Sequence, residues 1–143
     1  MKRTEVREQL FKLLFRVEFN DSEDIDNQVK LFFDNPTKSD ATDEAAEISI
    51  SEKDEEYIAT KFHAIVEKIS EIDEKIGSVA EKWTTERIGK VELTILRVAI
   101  YEMLFDDAIP ESVAINEAVE LAKKYGQDGA GSFVNGVLAK LAK

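Results

Sequence analysis

The sequence predicts an all-α chain of about seven helices, and three observations carry the class. Glycine and proline are sparse, six and two in 143 residues. Apolar residues recur at three- and four-residue intervals through most of the length. The one brief alternation, "EISIS" at 47–51, is too short to read as a strand of a sheet.

From about Thr4 to Phe19, the residues Val6, Leu10, Leu13, Leu14 and Val17 fall on one helical face, with Phe11, Phe15 and Phe19 as a second stripe beside it. That arc is wider than one contact needs; it serves either a second neighbour or simply more core. A short helix over Ile25 to Phe33 stops before Pro36, whose ring restricts Asn35. Residues 35–50 are polar, acidic and weakly periodic and read as a mobile surface loop. Ser51 then caps a helix with acids in its first turn and with Tyr57, Ile58, Phe62, Ile65 and Ile69 on one face. A further short helix fits 71–81, and Trp83 and Ile88 lead into "KVELTILRVAIYEMLF" at 90–105, apolar nearly all round and therefore the most buried helix. Pro110 breaks the chain before a helix over Glu111 to Tyr125, for which Gly126 is the expected left-handed C-cap. "QDGAG" turns into the last helix, about Gly131 to Lys143. The expected division is 1–70 and 71–143, together one compact domain.

Composition narrows the function classes. With no cysteine there is no disulfide, thiolate metal site or thiol nucleophile, and no apolar window approaches a membrane span, so a soluble, unprocessed, cytoplasmic protein with no membrane association is expected. The formal charge of −11 argues against nucleic acid until its distribution is read. Residues 1–19 and 120–143 are each +2, whereas residues 20–56 hold thirteen acids against three lysines. His63 stands on a helix with no second histidine or nucleophile near it in sequence. Asp73 with Glu74 and Asp106 with Asp107 lack the converging oxygen ligands of a hard-metal site, and "GQDGAG" follows no strand. No catalysis, cofactor or metal is expected. Arg97, within the most apolar segment, demands a carboxylate partner, for which Glu117 and Glu120 are the candidates. Gly136 weakens the last helix by roughly 1 kcal/mol relative to Ala, which a close approach of the "AINEAVELA" helix would justify. Asn135 beside it would bond across that contact, with Asn116 as one candidate, or face a ligand.

"ERIGKVELTILRVAIYEML", "IPESVAINEAVELAKKYG" and "SFVNGVLAKLA" together resemble the bacterial transcription antitermination factor NusB family over roughly residues 83–143, with "VREQLFKLLF" a weaker match near the start. The resemblance implies a fold of two packed helical bundles, with helices one to three in the first and four to seven in the second. It implies binding of boxA RNA in nascent ribosomal RNA transcripts together with the NusE ribosomal protein, within an RNA polymerase antitermination complex that suppresses premature termination. Similar domains also occur fused to RNA cytosine methyltransferases, whose catalytic cysteines this chain lacks. The family's basic start corresponds to Lys2, Arg3 and Arg7, with Arg3 and Arg7 one turn apart for successive phosphates. Thr4, Glu5 and Val6 depart from the pattern, which thins the salt-dependent term and gives a partner more weight. Phe133 is implied as a ring that stacks on an unpaired base, with core packing as the alternative, and Asn135 joins it. Ala130 stands where relatives commonly have a serine N-cap, leaving Gly131 or Ser132 to take over. For a basic NusE-like partner, Glu86, Glu92 and Glu102 are the complementary charges and Tyr101 the anchor. The competing reading is a helical protein-interaction or homodimeric module with little RNA binding of its own.

Overall fold

The computed structural model describes residues 1–17, 24–34, 50–80 and 88–142, and every described element is helical. The order is α1 (Arg3–Val17), α2 (Ile25–Asp34), α3 (Glu52–Glu67), α4 (Ile69–Val79), α5 (Lys90–Phe105), α6 (Glu111–Tyr125) and α7 (Ala130–Leu141). Phe19, residues 35–49 of the expected loop, Trp83 and Glu86 lie outside the described residues. The chain divides into two compact units, Met1–Phe62 and His63–Lys143.

In the first unit, α1 packs against α2. Its arc of Val6, Leu10, Leu13, Leu14 and Val17 is buried as the periodicity requires, and Phe11 is buried with it while Phe15 stays half-buried. α3 begins where the sequence places it: Ser51 Oγ accepts the Asp54 N–H at 3.2 Å, the capping bond that satisfies one of the orphan donors of a first turn. Glu52, Asp54 and Glu55 complement the positive end of the helix.

In the second unit, α5 packs against α4, α6 and α7, and α6 and α7 pack against each other. α5 buries residues all round, including Leu93, Ile95, Leu96, Val98 and Ile100; each such side chain contributes roughly 1.5–3 kcal/mol. Thr94 avoids an unmet hydroxyl by donating to the Lys90 carbonyl at 2.7 Å. α6 turns Ala114, Ala118 and Ala122 inward at four-residue spacing, small residues that admit close neighbours. Lys140 near the end of α7 donates to the carbonyl of Val79 at the end of α4.

Arg97 meets its requirement through Asp73 on α4, with Nε and Nη2 donating to the two carboxylate oxygens at 2.8 and 2.7 Å. Of the two carboxylates expected, Glu120 is instead exposed and pairs with Lys123 at 3.6 Å, and Glu117 is half-buried on α6. Burial pushes the Asp73 carboxyl up to about 6 even under these two bonds, and the bidentate pair ties α4 to α5.

Two glycines also differ from expectation. Gly126 caps α6 in an extended conformation, φ −87°, and the left-handed glycine is Gly129, φ +86°, which opens α7. Gly136 is exposed with open space where a Cβ would stand, so among the described residues no helix packs closely on it and the close-contact expectation is wrong. The close approach is at Gly126, where a Cβ would fall 2.5 Å from Ala130 Cβ and 2.7 Å from the Ala122 carbonyl oxygen. Asn116 and Asn135 are both exposed, and neither amide bonds the other.

Candidate nucleic-acid interface

The basic start of α1 separates into two parts. Lys2 and Arg3 are exposed, and the Lys2 N–H is held by Glu5 Oε1 at 3.2 Å. The Arg3 guanidinium carbon lies over the Tyr57 ring of α3, 5.3 Å from its centroid. The Met1 ammonium pairs with Asp54 at 3.3 Å. Arg7, by contrast, is only 6% exposed. On the helical wheel it falls between Phe11 and Leu14, inside the apolar arc. Arg3 lies on the same side but at the first helical residue, beyond the buried stretch. The expectation that Arg3 and Arg7 reach successive phosphates is therefore corrected: Arg3 stands at the surface and Arg7 does not.

The second unit carries a cleft of about 410 Å³ between the start of α5 and the start of α7, lined by Ile88, Gly89, Glu92, Gln127, Asp128, Gly129, Ala130 and Phe133. Phe133 is half-buried, one part packed and one part facing the cleft. Glu92 belongs to this cleft, its carboxylate beside Gly89 and Gly126, so neither glycine can carry a Cβ without moving it. No side chain caps α7: Gly129 takes the N-cap position, and neither Gly131 nor Ser132 does so. Asn135 is exposed two residues beyond Phe133 and lines no part of the cleft.

Of the residues expected to meet a protein partner, Glu102 is 1% exposed and is corrected to a buried group, because α5 is buried on nearly every side. Tyr101 is half-buried and packs on Phe105, ring centroids 5.8 Å apart, with Lys68 Nζ 5.4 Å over the Phe105 ring. Phe105, 36% exposed, is an apolar surface group that the sequence reading did not single out. Tyr57 was also assigned only to core; its four-residue spacing from Lys61 is the signal that a polar edge accompanies the ring. Among the described residues, no cluster of three or more His, Asp or Glu could hold a metal, and no helix is long and apolar enough to cross a membrane.

The NusB family model matches residues 4–143. The chain belongs to the NusB family. It is 48% identical to a transcription antitermination protein NusB of Agathobacter rectalis over 142 residues, covering 99% of this chain and 100% of that one. It is 45% identical to the Lachnoclostridium phytofermentans protein of the same name, covering 99% and 98%. Its fold is similar to that of T. maritima NusB, with a TM-score of 0.81 and 35% identity over 99% of this chain and 91% of that one. It is also similar to a chain in a structure of antitermination factors NusB and NusE with dsRNA, with a TM-score of 0.72 and 27% identity, covering 97% and 94%. Membership thus extends through α1 to α3, where the quoted motifs were weakest.

Proposed function

We propose that this chain is a transcription antitermination factor that binds boxA RNA of nascent ribosomal RNA transcripts together with the NusE ribosomal protein, and so suppresses premature termination. It acts by binding in the cytoplasm, as part of an RNA polymerase complex, and catalyses nothing. The observation that carries this reading is the likeness, along 97% of the chain, to a chain in the structure of antitermination factors NusB and NusE with dsRNA.

At residue level the reading rests on two surfaces. Lys2 and Arg3 offer exposed cations for phosphates, which position RNA without reading its sequence. The Phe133 cleft suits a base instead: its acids Glu92 and Asp128 repel phosphate, while their oxygens can accept from exocyclic amines and the ring can stack. For a basic partner, the Tyr101–Phe105 pair supplies an aromatic anchor, bordered in sequence by Asp106 and Asp107. Lys68, over the Phe105 ring, shows that this ring face accepts a cation.

The test is a titration of boxA RNA into the chain at low salt, with and without NusE. Binding that tightens when NusE is added is the expected result. No binding in either condition would remove the RNA role and leave a protein-interaction module.

A further inference from the structure

Beside the exposed Arg3, the structure holds a side chain that no RNA reading has yet used. Tyr57 stands in the second turn of α3, half-buried. Its hydroxyl accepts from Lys61 Nζ at 3.3 Å. The same nitrogen is 5.5 Å from the ring centroid, a distance that puts it out beyond the hydroxyl edge and not over the face. Lys61 is itself only 7% exposed, so it fixes the ring by its rim from within. The face is left for Arg3, whose guanidinium carbon lies over it at 5.3 Å.

We infer that Tyr57 is a positioning residue for RNA binding: it holds the Arg3 guanidinium in place at the start of α1 before RNA arrives. The inference rests on the proposed RNA role of that surface. A contact to a ring face engages the charge without consuming N–H donors, and Arg3 donates no hydrogen bond to any described residue. Its donors therefore remain available for a phosphate, in the fork geometry that suits one. A free arginine would lose its rotamer freedom on binding; one already resting on a ring has lost part of it. Lys61 adds a second effect, since its fixed charge at the rim keeps the ring from turning away.

The experiment is a double-mutant cycle read by anisotropy of labelled boxA RNA with NusE present, each variant being checked for an unchanged melting curve. Tyr57→Leu, which removes the ring face, is expected to weaken binding about three- to tenfold. Tyr57→Phe, which keeps the face, is expected to stay within about twofold. In an Arg3→Ala background, Tyr57→Leu is expected to add almost nothing. A Tyr57→Leu loss that persists undiminished without Arg3 would overturn the inference, as would full affinity in Tyr57→Leu itself. Wild-type binding that ignores Arg3→Ala would sink this inference alone, whereas absence of wild-type binding would sink the RNA role with it.

Discussion

The start of α1 and the start of α7 are both candidate RNA surfaces, and they are built on opposite electrostatics. The first offers the exposed cations Lys2 and Arg3; the second offers the Phe133 ring in a cleft whose charged lining is Glu92 and Asp128. Cations gain affinity by displacing counterions, so what they contribute fades as salt rises. A ring gains it by stacking, which salt barely touches. A chain of net charge −11 can thus bind RNA by dividing the work: a few cations for the backbone, and a shaped, acid-lined cleft for a base.

The largest expected effect is at the ring. Phe133→Ala should cost about 1–3 kcal/mol of RNA affinity, the value of one base–aromatic stack, with the salt slope unchanged. A flattened slope would mean that the α7 surface works through phosphate after all. Next is the turn between α6 and α7. Gly126→Ala forces a Cβ against Ala130 and the Ala122 carbonyl, and urea unfolding should show a loss of about 1–3 kcal/mol. A neutral outcome would show that α7 shifts freely at its start. Arg7 and Arg3 of α1 should differ in the same assay: Arg7→Ala should lose about 1–3 kcal/mol through its buried stem, and Arg3→Ala less than about 0.5. The last effect has the opposite sign. Gly136→Ala, in open space within α7, should raise stability by about 0.5–1 kcal/mol by restricting the unfolded chain.

Much of this was legible in the sequence, because it depends on local pattern. α5 and α6 occupy 90–105 and 111–125, the ranges that apolar density and Pro110 delimit, and Ser51 caps α3 as its hydroxyl and the following acids require. Contacts between elements were harder to read. Arg97 announced its need for a carboxylate, but its partner lies 24 residues upstream on α4, where no spacing rule points. Gly126 and Gly136 look alike in sequence; only the packing of α6 on α7 says which one fills a tight space. Glu102 looked like surface because it is charged, although it stands on a helix buried on nearly every side. Arg7 could have been caught: the arc of Val6, Leu10, Phe11 and Leu14 already surrounds it on the wheel.

The central claim is that the first unit meets phosphate through Arg3 and not through Arg7, and the salt dependence of boxA RNA binding tests it most directly. With NusE present, Arg3→Ala should reduce the slope of log K against log salt by about 0.7, the share of one phosphate contact on a single strand. Arg7→Met, which keeps the buried stem and removes the charge, should leave the wild-type slope. A flattened slope in Arg7→Met with none in Arg3→Ala would contradict the account.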